Sequence, residues 1–278
     1  MTVTLITGCS TGIGYAAAVR LATDGHTVVA TMRDPSSSDL ASHANIDVRA
    51  LDVDDDAAVD ALFAAVLADH GAIDVLVNNA GVGGGGNAVE EASLEDYRSI
   101  METNFFGALR CAKAVLPSMR ERGAGWIVNV TSQAGLIAYP GMSGYCASKA
   151  ALEAASESLA IEVAPFGIRV ALIEPGAIMT AIWTKVDPTP PTGPYAPIRK
   201  RLGHVVMTDL AQASTADDVA DCIAEAIATD DPKLRWLIGR GAERNVANRR
   251  SWDDEEYVAL WNDPDRDEFH RRMFAEPT

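Results

Sequence analysis

An α/β chain with an open, doubly wound parallel sheet is the fold this sequence predicts, on three observations. Seven short apolar runs lie along its 278 residues, at 2–7, 26–34, 46–53, 72–81, 126–130, 167–176 and 234–239. Helical stretches, several of them alanine-rich, separate most of these runs. The runs read as strands buried on both faces, the pattern of a parallel sheet covered by helices on either side. In such a sheet ligands bind beyond the C-terminal ends of the strands.

The first run, TVTLIT, leads into GCSTGIG (8–14) and then into an alanine-rich helix. Strand, glycine turn and helix make a phosphate-binding corner. Glycine lets backbone approach a ligand, and the free N–H groups at a helix start favour negative charge. The spacing is GxxxGxG rather than the better-known GxGxxG. The second run ends in Met32, Arg33 and Asp34. At that strand end an acid hydrogen-bonds the ribose 2′-hydroxyl of NAD, whereas an arginine accommodates the 2′-phosphate of NADP. No acid stands at the strand end itself, and Arg33 and the Ser10 hydroxyl are available, so NADP is favoured. NAD remains the alternative, with Arg33 facing solvent and Asp34 turned inward. The third run ends at Asp52 and Val53, and the acids at 54–56 fit the first turn of the next helix, offsetting its dipole. The fourth run ends in Asn78, Asn79, Ala80 and Gly81.

A single amphipathic helix is expected through YRSIMETNFFGALRCAKAVLPSM (97–119), and GVGGGGN (81–87) is expected to be a flexible connection. The strand WIVNV leaves Ser132 just past its end, and a further helix starts near Tyr145. Tyr145 and Lys149 are four residues apart and share one helix face, about one turn apart. A free tyrosine, with a pKa of about 10, is a poor base at neutral pH, and a neighbouring cation favours its phenolate. A serine hydroxyl at the strand end is placed to hold the oxygen that gains or loses the proton.

Composition excludes several classes. The chain is 48% hydrophobic and 22% charged, which reads as globular, and its net charge of −16 argues against nucleic acid or an anionic membrane as partner. Cys9, Cys111, Cys146 and Cys222 form no CxxC pair and no metal spacing, so no metal is expected and a reducing, cytoplasmic setting is. No signal peptide and no membrane-spanning run are expected.

Together these motifs resemble the short-chain dehydrogenase/reductase family over roughly residues 2–240. TGCSTGIG (7–14) is similar to the cofactor turn, LDV (51–53) to the adenine contact, NNAG (78–81) to the motif beside the cofactor, and PGAIMT (175–180) to the segment that closes over the nicotinamide. Asn104 in NFFG is similar to the family's helix asparagine, and Ser132, Tyr145 and Lys149 match its serine and YxxxK pair with a gap of thirteen residues. The resemblance implies a Rossmann-type sheet of about seven strands. It implies a cofactor site of Gly8, Ser10, Thr11, Gly12, Ile13, Gly14, Arg33, Asp52, Val53, Asn79, Ala80, Gly81, Tyr145, Lys149, Pro175, Gly176, Ile178 and Thr180. It also implies a catalytic set of Asn104, Ser132, Tyr145 and Lys149. Tyr145 is then the general acid or base, Ser132 stabilises the substrate oxygen, and Lys149 binds the nicotinamide ribose. Asn104 holds a water in a proton relay.

One domain, 1–240, is expected, with a proline-limited substrate lid around 183–212 and a C-terminal extension, 241–278, carrying two short helices near 253–261 and 264–274. Trp183, Tyr139 and Met142 are expected near the pocket mouth, suiting an apolar substrate. Amphipathic helices of this family pair subunits, so a homodimer or homotetramer is expected, with the extension casting doubt on the tetramer. The expected activity is hydride exchange between NADP(H), or NAD(H), and a secondary alcohol or carbonyl; steroids and retinoids are the substrates of the subgroup it most resembles. The alternative is a catalytically silent dinucleotide sensor or scaffold.

Overall fold

The computed structural model describes residues 2–84, 86–180 and 191–276, Arg240 by its backbone alone. Strands β1 (Val3–Thr7), β2 (Thr27–Met32), β3 (Ile46–Ala50), β4 (Val75–Asn78), β5 (Gly125–Val130) and β6 (Ile168–Pro175) coincide with the first six apolar runs. Two-residue strands β7 (Ile178–Met179) and β8 (Ser214–Thr215) follow, and β9 (Arg235–Ile238) falls in the last run. The main sheet has seven strands in the order β3-β2-β1-β4-β5-β6-β9, every neighbouring pair parallel. The chain moves outward from β1 to β3 and returns beside β1 as β4. That reversal opens a crevice at the C-terminal ends of β1 and β4.

Alternation along the strands explains why both faces are buried. Ile6, Val77 and Val128 belong to one apolar cluster with Leu21 of α1 (Gly12–Thr23) and Ile223 of α7 (Ala216–Ala228). Their neighbours Leu5, Leu76 and Ile127 point the other way, into a cluster with Phe63 of α2 (Asp56–His70) and Val115 of α4 (Gly107–Arg122). Cβ atoms of successive strand residues leave on opposite sides, so one strand feeds both layers.

The helix expected through 97–119 is interrupted. α3 (Leu94–Met101) passes through a π-helical segment, Glu102–Phe106, before α4 begins, and Asn104 sits in that segment. α5 (Ser143–Val163) carries Tyr145 and Lys149. In the expected lid, residues 181–190, and Trp183 with them, lie outside the described residues. The rest is ordered by α6 (Ala196–Leu210), which has Pro197 in its first turn, where proline costs no hydrogen bond.

Beyond β9 come three helices rather than two: α8 (Arg240–Ser251), α9 (Asp254–Trp261) and α10 (Arg266–Met273). The charged sequence ERNVANRR concealed the first of them. Val246, Tyr257, Leu260, Trp261, Phe269 and Met273 pack with Ile137, Tyr139, Cys146, Leu202 and Val205 in a third apolar cluster. Tyr139 is therefore a packing residue, buried edge-on to Trp261 at 6.5 Å, and not a residue of an open pocket mouth.

Candidate active site

The glycine turn is clamped onto the end of β4. Thr7 Oγ1 accepts the backbone N–H groups of Asn79 and Ala80, each at 3.0 Å, and Asn79 Nδ2 donates to the carbonyls of Thr7 (2.9 Å) and Gly8 (3.1 Å). This explains two of the glycines. A Cβ on Gly14 would lie 2.4 Å from Asn79 Nδ2, and one on Gly8 would lie 2.7 Å from Ala80 Cα. Close approach of the turn to its own β4 support demands glycine there. Gly12, at φ +64°, lies against Thr180.

α1 starts without a cap. Thr11 is extended, its side chain caps nothing, and the first turn holds no acid. Asp55, Ser93, Thr215, Asp253 and Asp265 cap α2, α3, α7, α9 and α10, whereas α5, α6 and α8 share with α1 a start without a side-chain cap. The unspent N–H groups of α1, beside the β1–β4 crevice, fit the pyrophosphate of a dinucleotide.

At the end of β2, Arg33 is exposed and makes no hydrogen bond or ion pair with the described residues. Asp34 is engaged elsewhere: its Oδ1 accepts from Ser36 N (3.0 Å) and Ser36 Oγ (2.7 Å). Those bonds hold its carboxyl below the usual range. Asp52 is exposed and accepts from Asp54 N at 3.2 Å, while Val53 is buried. At the other end of the crevice, Gly176 N donates to Ile238 O (3.0 Å), and a Cβ on Gly176 would lie 2.9 Å from Ala242 Cβ of α8. Ile178 is buried in β7.

Ser132, Tyr145 and Lys149 come together between β5 and α5. Ser132 is buried; its Oγ accepts from Ala134 N (3.1 Å) and donates to Pro175 O (3.4 Å), and its hydroxyl acts to lower the Tyr145 phenol. Lys149 is buried, donates from Nζ to Val130 O at 2.9 Å and lies 5.9 Å from the centre of the Tyr145 ring. Burial pushes its ammonium down to about 8, opposed by the charge of Glu153. The phenol behaves differently from the expectation that a cation brings it down: desolvation raises Tyr145 above its ordinary value, and the Ser132 hydrogen bond only partly offsets this. Burial therefore favours the neutral phenol.

Asn104 is buried, and both N–H groups of its amide are engaged. Its Nδ2 donates to Val82 O and Ser148 Oγ, both at 3.0 Å, and its Oδ1 accepts from Val82 N at 2.8 Å. No side-chain donor is left for a water. A Cβ on Gly81 would lie 3.2 Å from Asn104 Oδ1 and 3.8 Å from Lys149 Nζ, so both side chains close on Gly81. Sequence reasoning missed Gln133, Ser148, Glu153 and Asn245. The one signal available in advance was the i, i+4 spacing of Glu153 from Lys149.

A parallel sheet with this crevice, an uncapped helix start and a Ser–Tyr–Lys cluster beside it defines a dinucleotide-dependent oxidoreductase. Comparison with known proteins agrees. The sequence profile of the family described as short chain dehydrogenase matches residues 2–191. The chain is 38% identical over 261 residues to the uncharacterized oxidoreductase YusZ of Bacillus subtilis, covering 89% of this chain and 92% of that protein. It is 38% identical to bovine retinol dehydrogenase 8 (83% of this chain, 79% of the relative). It is 35% identical to human 17-beta-hydroxysteroid dehydrogenase type 1 (85% and 77%). Among solved structures, a short-chain dehydrogenase from Streptomyces avermitilis superposes with a TM-score of 0.82 at 36% identity, covering 94% of this chain and 95% of that one. An alcohol dehydrogenase from Thermococcus sibiricus complexed with 5-hydroxy-NADP gives 0.71 at 26% (86% and 96%). A family member from Burkholderia phymatum in complex with NAD gives 0.78 at 29% (92% and 95%). The chain belongs to the short chain dehydrogenase family, as an oxidoreductase using a nicotinamide dinucleotide. None of the described helices is long and apolar enough to cross a membrane.

Proposed function

We propose that this protein is an NADP(H)-preferring oxidoreductase interconverting a secondary alcohol and a ketone or aldehyde, on an apolar substrate. The convergence of Ser132, Tyr145 and Lys149 beside the crevice carries the reading. Bound there, the nicotinamide would give or take the hydride and, oxidised, add positive charge near the phenol. Tyr145 exchanges a proton with the substrate oxygen. Ser132, buried at the end of β5 and acting on that phenol, steadies charge developing on the same oxygen. Lys149 holds the nicotinamide ribose and keeps a cation within reach of Tyr145. Asn104 acts by fixing Val82 and Ser148 around this group.

Two observations support the finer reading. Arg33 is exposed and unengaged while Asp34 is tied to Ser36, which leaves a cation and no inward-facing acid for a 2′-phosphate. The names of the retinol and hydroxysteroid relatives support an apolar substrate. Four buried free thiols support a cytoplasmic setting, and the exposed Phe106 and Ile161, on the helices around the site, support a homodimer or homotetramer. We divide the chain into a dinucleotide-binding domain, 1–240, with α6 in its lid, and a C-terminal extension, 241–278.

The test is binding of NADPH and NADH, side by side, to the protein and to Arg33→Ala. We expect Arg33→Ala to weaken NADPH roughly tenfold or more, the loss of one charge-assisted contact, with little effect on NADH. Equal effects would defeat the assignment of Arg33 to the 2′-phosphate, and a preference for NADH would make this an NAD(H) enzyme. Absence of both affinities would leave a silent scaffold.

A further inference from the structure

A buried charge cluster stands one helical turn beyond Lys149. Glu153 of α5 and Glu174 of β6 have side chains only 6% and 2% exposed, and Arg235 of β9 lies between them. Arg235 Nε is 3.2 Å from Glu153 Oε2 and 3.3 Å from Glu174 Oε1, and its Nη2 binds Glu157 Oε2 at 2.7 Å. The exposed Arg250 of α8 is the other cation acting on Glu174. Three carboxylates therefore surround one guanidinium. Glu153 Oε1 and Glu174 Oε1 are both buried and receive no hydrogen bond. Two carboxylate oxygens cannot satisfy each other, because both only accept, but one shared proton would satisfy both. Burial and the neighbouring Glu153 both raise Glu174, which favours that proton on its carboxyl.

The Glu153 charge has a target. Lys149 is buried, its Nζ donates to the Val130 carbonyl, and the buried Glu153 stands one helical turn away on the same face of α5, where its charge opposes the desolvation of Lys149. The turn carrying Ser132 rests on the same side chain: a Cβ on Gly135 would lie 3.0 Å from Glu153 Cγ. We propose that Glu153 is a positioning residue of the reaction, the buried carboxylate, held by Arg235 one helical turn from Lys149, that keeps Lys149 an ammonium in the working site. This rests on the reading of Lys149 as part of the active site. Mechanistically, the cluster defends the cation beside Tyr145 against the desolvation that substrate and cofactor would add.

The experiment reads the Lys149 ammonium directly. The chain has five lysines, so labelling with ε-13C lysine and following the methylene shift against pH resolves them. In the full-length protein we expect Lys149 to lose its proton as pH rises through about 8. In Glu153→Gln that midpoint should fall by about one pH unit or more, a roughly tenfold loss of proton affinity. Glu174→Gln, which imitates the neutral acid, should leave it in place, and Glu153→Asp should fall between. NADPH affinity of Glu153→Gln should match that of the unmodified protein near pH 6 and weaken progressively above pH 7. A purely structural role would lower affinity by one factor at every pH. An unmoved Lys149 midpoint in Glu153→Gln overturns the proposal. So does a Glu174→Gln shift as large as that of Glu153→Gln. Should Glu153→Gln not fold, Glu153→Asp and Glu174→Gln decide by the same criteria. If instead Lys149→Met binds NADPH unchanged at all pH values, the assignment of the cofactor site fails while the Glu153–Lys149 coupling stands or falls on the resonance.

Discussion

Tyr145 shows how far a spacing reaches and where it stops. The i, i+4 relation to Lys149 puts phenol and ammonium on one helix face, and the sequence alone guarantees that much once α5 forms. Whether the phenol ionises is settled by solvent exclusion, which raises it here despite the cation 5.9 Å from its ring. Burial therefore favours the protonated phenol, and the proposed base role would need a further positive charge such as that of an oxidised cofactor. Tyr145→Phe should lower turnover by two to four orders of magnitude, roughly the span of general acid–base contributions, with dinucleotide affinity within about threefold. Steady-state rates together with fluorescence titration of NADPH check this. Substantial turnover in that variant would remove the hydroxyl from the reaction.

Elements are joined around the site by polar contacts that no local pattern announces. Asp209 of α6 accepts from Arg244 Nη2 (2.6 Å) and Asn245 Nδ2 (2.9 Å) of α8, and Asn245 also reaches Gln133 Oε1 (3.3 Å), next to Ser132. Both members of the ion pair are nearly excluded from water, at 5% and 10% exposure. Removing one partner leaves a buried charge uncompensated, which costs about 3–5 kcal/mol. We expect Asp209→Ala to lose stability of that order, seen as a lowered urea midpoint with unchanged slope. An effect below about 1 kcal/mol would mean that water replaces the carboxylate and that α6 and α8 are not locked together. α3 and α4 teach the same lesson in another form. Residues 97–119 have the periodicity of one helix, and the π-helical segment at Glu102–Phe106 appears only where Asn104 turns in to bond Val82 and Ser148.

At the scale of the molecule, the extension is part of the core. α8–α10 supply Val246, Tyr257, Leu260, Trp261, Phe269 and Met273 to a cluster completed by Tyr139 and Leu202, and Tyr257 donates to Ala138 O at 2.7 Å. Ending the chain at Gly239 should therefore expose that cluster, strip Asp209 of Arg244, and lower the thermal midpoint by ten degrees or more, on the order of several kcal/mol for a chain this size. A truncated chain that melts with the full-length protein would make 241–278 an independent appendage.

Much of this was written in local sequence. Strand positions, the seven-strand count, the glycine turn and the Ser132–Tyr145–Lys149 spacing follow from periodicities of two and 3.6 residues and from glycine's freedom, all local properties of the chain. The helical character of 240–251 escaped because its charged residues hide a small buried face, Ala242, Asn245 and Val246 among it. The tertiary structure alone decided what is desolvated and by whom. Glu153, Glu174 and Arg235 lie on three separate elements and meet only because β6 and β9 are neighbours beside α5. Asp209 finds Arg244 only when α8 folds back on α6. A residue's charge state depends on the dielectric and the partners that distant segments bring to it, and spacing along the chain carries no record of either.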